Sequence, residues 1–414
     1  MLGDNKGGDS QPAAFRLYSS GLKTNRDAWV YNYSLPALRE NVTRSIDFYN
    51  REVDRAAFPG FSPNLDPAKL SWNRADKTNV VRGRKIEHRK TAYREGLYRP
   101  FSRANVYFDR AYNDMVYRLQ QLFPTAKHDN YGFYVTGVGS DKEFSVLASR
   151  LVPDLALWGS SNGQFFPRYR WEPVAGPEDG ALDLSMVSDR GVVVDGYRRI
   201  DNISDEMLAH VRKHHGDSVT KDDVFYFLYG LLHSPEYRER YSGELKQMLP
   251  RVPNVPAGTF SAFTDVGWDL FHLHADYEDA ERYPLEIIGG ERPPLGGPEA
   301  AADYYRVQKM RFPSGQKAAD VPGSLVVNGN ITVTGIPVAA YRYQLGSRSA
   351  IEWVMRQYQV TTDKASGIVN DPNQWGIERG NPRYILDLLQ KVITVSVRTV
   401  QITSTLPSIT TTDD

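Results

Sequence analysis

Proline placement limits this chain before any other feature does. Residues 58–67, 250–256 and 291–298 each contain three prolines. A proline lacks the backbone N–H and clashes with the preceding turn, so neither a helix nor a central strand runs through these stretches. The pieces between them can be read one at a time. Leu38, Val42, Ile46 and Tyr49 recur at helical spacing and predict a helix over 34–55. Met115, Leu119 and Leu122 predict another over 110–123. Residues 131–138 alternate like a strand, and 222–232 form a strongly apolar helix. Ser234-Pro235-Glu236 then supplies an N-cap and a proline at the first helical position, opening a helix that runs to about 249.

Beyond residue 298 the character changes. Short strands are expected at 325–327, 331–333 and 340–344, around Asn-Gly and Gly-Ile-Pro turns. Ser349 and Glu352 form a capping box that opens a helix over 350–358. The alternation over 392–402 predicts a final strand. The fold class is α+β: a multi-lobed arrangement of short mixed or antiparallel strands with flanking helices, without an alternating βαβ series. The breaks suggest a flexible lead-in (1–14), a basic lobe (15–127), a central lobe with a helical pair (128–256) and a C-terminal α+β lobe (257–414), together one module.

At 414 residues the chain is too long for one minimal domain, and an apolar fraction of 41% supplies a substantial core. The longest apolar stretch, 224–232, is broken by Gly230 and falls well short of the ~18 residues of a membrane span. The N-terminus lacks a basic-then-apolar signal pattern. With no cysteine there can be no disulfide, thiolate metal site or cysteine nucleophile. A reducing compartment, the cytoplasm, is the expected location.

Net charge is zero, but the charges are unevenly spread. Residues 16–127 carry 21 Lys and Arg against 11 Asp and Glu, so the rest of the chain is acidic. Within 72–103 ten basic side chains face three acidic ones, and Arg82, Arg84 and Lys85 lie in the middle of that run. Such a stripe suits a polyanion, although a solvated helix face produces the same pattern.

Catalytic signatures are missing. Gly137-Val138-Gly139-Ser140 has neither the third glycine of a dinucleotide loop nor the lysine of a phosphate loop. An adenine-N6 methyltransferase needs an Asp or Asn followed by two prolines and an aromatic ring. The one Pro-Pro pair stands in Arg292-Pro293-Pro294-Leu295, where arginine cannot accept a hydrogen bond and leucine cannot stack. Asp154 and the distant Glu244-Leu245-Lys246 are too far apart in sequence for a nuclease motif. His210 and His214 share a helix face but lack a third ligand. His272, His274 and Asp276 would face one way on a strand; in so aromatic and apolar a stretch the histidines read first as satisfied structural groups, with a metal-dependent hydrolase kept open as a rival. A protein-docking scaffold built on the acidic C-terminal part is a second rival.

Polar and aromatic side chains interleave in three places. The first is 21–34, where Lys23, Thr24, Asn25, Arg26 and Asp27 precede Trp29, Tyr31 and Tyr33; the others surround Arg99 and Arg103, and 341–353. Arginine and lysine neutralise phosphates and read guanine, and asparagine can pair with adenine. Five blocks, "TNRDAWVYNYS" (24–34), "YRPFSRANVYFD" (98–109), "VFYFLYGLLHSPEYRERY" (224–241), "LHADYE" (273–278) and "YQLGSRSAIEWVMRQYQVTTDKASGIVNDPNQW" (343–375), together resemble the C-terminal specificity domain of the Type ISP restriction-modification enzymes.

Those enzymes join a nuclease, a helicase-like translocase, an adenine-N6 methyltransferase and a target recognition domain in one polypeptide. The resemblance runs from about 15 to 406. It implies reading of a short asymmetric site in double-stranded DNA, presented to the methyltransferase. Matching by block, it points to Thr24, Asn25, Arg26 and Asp27; Arg99 and Arg103; Arg348 and Ser349; and Asp363, Ser366, Asn370 and Asp371. The three aspartates repel phosphate and are expected to tie to arginines. Met1 stands only a few residues before the first block. S-adenosylmethionine and ATP would therefore belong to domains outside this chain, and no cofactor is expected within it.

Overall fold

The computed structural model describes residues 2–3, 12–159, 162–174, 191–256, 258–289 and 296–409. The Pro293-Pro294 pair, most of the 291–298 break and residues 1 and 4–11 of the lead-in lie outside the described residues.

One antiparallel sheet organises the molecule. Its strands run in the order Ser19–Ser20, Gly163–Pro167, Gly132–Thr136, Val146–Ser149. Side chains alternate across a pleated strand, and here both faces are buried. Phe133, Val135, Val146, Ala148 and Phe166 face one apolar core, while Tyr134, Leu147 and Phe165 face a second. The sheet is thus a wall between two cores, which is why its central strands are mostly apolar.

The first core rests against the helices Lys221–Leu231 and Phe260–Ala275. Two glycines let them touch. A Cβ on Gly267 would sit 1.9 Å from the Tyr226 carbonyl oxygen, and one on Gly230 would sit 2.2 Å from that of Phe263. Only a residue without a side chain permits so close an approach. Leu2 is fully buried in this core, and its backbone N–H donates to the Pro250 carbonyl at 3.0 Å.

The second core joins two segments distant in sequence, 17–165 and 273–395. The Leu35–Arg55 helix, capped by Ser34, packs Leu38, Val42, Ile46 and Tyr49 into it. A second sheet runs Tyr31–Asn32, Ser102–Tyr107, Tyr93–Arg99, Val152–Pro153, with the last pair parallel. The helices Ala350–Gln357 and Tyr384–Thr403 complete it. Ser349 and Glu352 make the expected capping box.

Four elements differ from expectation. The predicted strand 392–402 is part of the Tyr384–Thr403 helix. Its β-branched residues favour strands locally, but burial of Leu388, Leu389, Val392, Ile393 and Val395 outweighs that preference. The hydroxyls of Ser396, Thr399 and Thr403 donate to carbonyls four residues back, which satisfies them inside the helix. In 110–123 only Leu119–Leu122 is helical. Met115 instead exchanges backbone hydrogen bonds with Lys23, and Tyr117 takes a positive φ of 45°. The helix begun at Ser234 stops at Arg240, and a separate turn, Glu244–Gln247, follows Gly243. The expected strand 340–344 begins in a 3-10 turn, Val338–Tyr341, and only its last residue is extended, in the two-residue strand Gln344–Leu345.

Candidate nucleic-acid interface

The cationic segments sort into three environments. The first is buried pairing. Arg26 is fully enclosed, pairs with Asp76 and lies over the Tyr112 ring, 4.8 Å from its centroid. Thr24 donates its hydroxyl to Asp27, and Asn25 turns the chain outward in a left-handed conformation with φ of 54°. Lys23 pairs with Asp114 at 2.9 Å. Arg103 lies between Glu95 and Glu278, at 3.5 and 3.6 Å.

Arg99 belongs to the same class but borders open space. Its guanidinium stacks on Tyr98 at 3.9 Å and donates to Asp154 at 2.7 Å. Tyr98 in turn donates to Asp27 at 2.9 Å. Burial pushes the Asp154 carboxyl up to about 7 even though Arg99 pulls the other way. The neighbouring Asp154, Tyr98 and Asp27 outweigh burial at Arg99 and hold it above its ordinary value.

The second environment is open solvent. Arg82, Arg84 and Lys85 are exposed on the turn after the Arg74–Val81 helix. Lys85 reaches Asp54 at 2.7 Å. The turn is fastened through Asn50, whose side chain bonds both backbone groups of Ile86 at 2.8 and 2.9 Å.

The third is a cleft of about 490 Å³ where distant parts of the chain meet. Arg99, Lys142, Arg348 and Arg356 line it, and among the described residues no carboxylate does. Gln357, Gln359, Thr361 and Asn370 add hydrogen-bonding groups, and Tyr33, Tyr98, Trp158 and Trp353 supply aromatic walls. Lys142 has a partner in the exposed Asp141 at 2.7 Å. Among the described residues neither Arg348 nor Arg356 pairs with a carboxylate.

Local structure explains how each wall is held. Gly346, with φ of 64°, turns the Gln344–Leu345 and Arg348–Ser349 hairpin. Its N–H donates to the Ser145 hydroxyl at 2.8 Å. Ser349 itself is buried as the cap of the next helix. Asn370 ends a second hairpin, Thr361–Thr362 with Val369–Asn370, and accepts the Tyr33 N–H at 3.0 Å. Ser366 closes that hairpin's turn by donating to Asp363 at 2.6 Å. Of the three aspartates expected to tie to arginines, Asp371 meets Arg306 at 2.7 Å and Asp27 lies 3.7 Å from Arg99, whereas Asp363 serves Ser366 instead.

Arg99, Arg348 and Asn370 therefore come together around one cleft. Lys23, Thr24, Asn25, Arg26, Arg82, Arg84, Lys85, Arg103, Ser349 and Ser366 are not among the side chains that line it. Lys142, Trp158, Arg356, Gln357 and Gln359 line it without having been singled out in the sequence. Arg356, Gln357 and Gln359 lie inside the fifth matching block, and the spacing of Arg356 from Trp353 on one helix was the available signal.

The histidine constellation dissolves. Residues 272–275 are helical, not extended, so His272 and His274 point to opposite sides. His272 is bonded to the Trp268 carbonyl at 2.8 Å. His274 is buried between Tyr229 and Thr399, at 2.7 and 2.8 Å. Burial and the nearby Arg238 push it down to about 3. Asp276 holds Arg150 through two bonds of 2.7 and 2.9 Å. Each side chain is committed to a different neighbour, and the hydrolase built on them has no support. Among the described residues no three His, Cys, Asp or Glu side chains gather as metal ligands, and no helix is long and apolar enough to cross a membrane.

Three similar solved structures are Type ISP enzymes or DNA complexes. A nuclease-deletion mutant of the Type ISP restriction-modification enzyme LlaGI, in complex with a DNA substrate mimic, is 32% identical, with a TM-score of 0.80 over 99% of this chain and 34% of its own. The ATP-dependent Type ISP enzyme LlaBIII bound to DNA is 30% identical, with a TM-score of 0.81 over 99% of this chain and 24% of its own. A DrdV–DNA complex is 31% identical, with a TM-score of 0.75 over 96% of this chain and 36% of its own. The chain thus spans about a third or less of the length of these proteins. No curated protein matches it. The model of the Type ISP C-terminal specificity domain matches residues 13–388. With nearly the whole chain covered and the α+β arrangement shared, the protein belongs to the Type ISP C-terminal specificity domain family.

Proposed function

We propose that this chain reads a specific sequence in double-stranded DNA and presents that site to an adenine-N6 methyltransferase carried on another domain or subunit of a cytoplasmic restriction-modification system. Methyl transfer from S-adenosylmethionine and ATP-driven translocation and cleavage belong to those other parts. This chain contributes recognition and no bond-making step. The observation that carries the reading is the cationic cleft, in whose lining the described residues place no carboxylate, with two arginines whose charge no described acid neutralises. Unneutralised cations in a concave wall attract a polyanion, and nearby amides and guanidinium groups can discriminate base edges. The DNA bound to LlaBIII and DrdV, and the DNA substrate mimic bound to LlaGI, support the same reading.

Selection from a pool of randomised duplexes, with the cognate methyltransferase supplied in trans, tests it. Enrichment of one short asymmetric motif is expected, with affinity falling steeply as salt rises. Absence of any enriched motif across a salt series would overturn the reading.

A further inference from the structure

We propose that Arg348 reads a guanine edge of the target, while Arg356 and Lys142 hold phosphates on either side of it. This rests on the DNA reading above and divides the work within the same cleft.

A base reader has to be oriented before DNA arrives and still have its hydrogen bonds to offer. Arg348 meets both conditions. It is half-buried on a two-residue strand fixed by the Gly346 turn. Its guanidinium lies over Trp353, 5.2 Å from the ring centroid. That ring is fully buried and anchored by its Nε1–H to the Leu345 carbonyl at 2.9 Å. The acid nearest in sequence, Glu352, is engaged by the N–H and hydroxyl of Ser349 at 2.9 and 2.8 Å. The capping box thus occupies the carboxylate that would otherwise be available to Arg348. A weak contact to the Ser347 hydroxyl at 3.4 Å leaves most of the five N–H donors unspent. An arginine fork that is aimed and unspent matches the O6 and N7 acceptors of guanine.

The other groups in the wall differ. Arg356 is exposed in the last turn of its helix and, among the described residues, stacks on no ring. Among the described residues Lys142 pairs with one exposed aspartate, which a phosphate can replace. Both are suited to phosphates, which tolerate a loosely held cation. Gln359 donates to the Arg356 carbonyl at 3.0 Å, and the Asn370 carbonyl oxygen already accepts from Tyr33. Both amides are therefore partly spent.

The test repeats the randomised-duplex selection with the full chain and its methyltransferase, comparing wild type with Arg348→Lys, Arg348→Ala and Arg356→Ala. Arg348→Lys keeps the charge but loses the fork, and it stands over the same ring, so it serves as the variant with least risk to folding. Both Arg348 variants should lose preference for guanine at one position by about ten- to hundredfold and keep it elsewhere. Arg348→Lys should retain the wild-type salt slope. Arg356→Ala should keep the motif, weaken all sequences alike and lower the salt slope by about one. An intact motif with both Arg348 variants, or a motif altered by Arg356→Ala, would overturn the assignment. A wild-type chain that enriches no motif would overturn the DNA reading itself.

Discussion

Arg26 and Arg348 carry the same guanidinium group, both lie within matching blocks, and both sit on an aromatic ring. Their surroundings make them opposites. Arg26 is enclosed with Asp76, and two of its nitrogens, Nε and Nη1, find no hydrogen-bond acceptor among the described residues. Arg348 opens onto a cleft, and its neighbouring acid is engaged elsewhere. Counting arginines in a block therefore says little about which of them meet DNA. The deciding quantity is whether the positive charge is already neutralised inside the protein.

Arg26→Ala should break that contrast most sharply. It leaves the Asp76 carboxylate buried without its cation, and a loss of about 3–5 kcal/mol is expected in denaturant unfolding. Arg348→Ala should cost far less stability. Similar losses for the two would mean that Arg348 is structural as well.

The pH response of the paired region comes next. Asp154 has its folded-state pKa raised from 3.8 to about 7. Below about pH 4 its carboxyl is neutral in folded and unfolded chains alike. Between about 4 and 7 the folded chain holds a proton that the unfolded chain has lost, so this group's contribution declines as pH rises. His274, lowered to about 3, acts in the opposite sense, its contribution declining as pH falls below its ordinary 6.5. The difference between wild type and Asp154→Asn isolates the first effect. The variant should gain on wild type as pH rises from 4 to 7 in thermal melts. Parallel curves would mean that Arg99 keeps the carboxylate charged throughout.

Arg356→Ala should leave stability within about 0.5 kcal/mol of wild type, because the side chain is exposed and makes no described ion pair. Calorimetry of the folded chain checks this beside the salt series. The smallest effect on sequence choice should come from Arg82→Glu, Arg84→Glu and Lys85→Glu together. These exposed side chains stand outside the cleft lining. Weaker binding of every duplex with the same motif preference is expected. A changed motif would extend the reading surface to that turn.

Several features could be read from sequence because their causes are local. The Leu35–Arg55 helix announces itself through a capping serine and an apolar stripe, and the Ser349 box through four adjacent residues. Alternation over 131–138 predicts a strand, formed at 132–136, but only the structure gives both of its faces to apolar cores. The 384–403 helix was hidden, since its β-branched alternation imitates a strand until neighbours bury it. The 272–276 reading failed the same way, with helical geometry separating side chains that an extended chain would have aligned.

The sequence by itself determined the fold class, the family and the supply of cations, because short-range spacing and block order are properties of the chain. Tertiary structure decided which cations remain available. Tyr33, Arg99, Lys142, Arg348 and Asn370 meet only after two segments distant in sequence share a core. Coulomb interactions depend on distance and burial, not on separation in sequence, so whether an arginine is neutralised or free is settled only when its neighbours arrive.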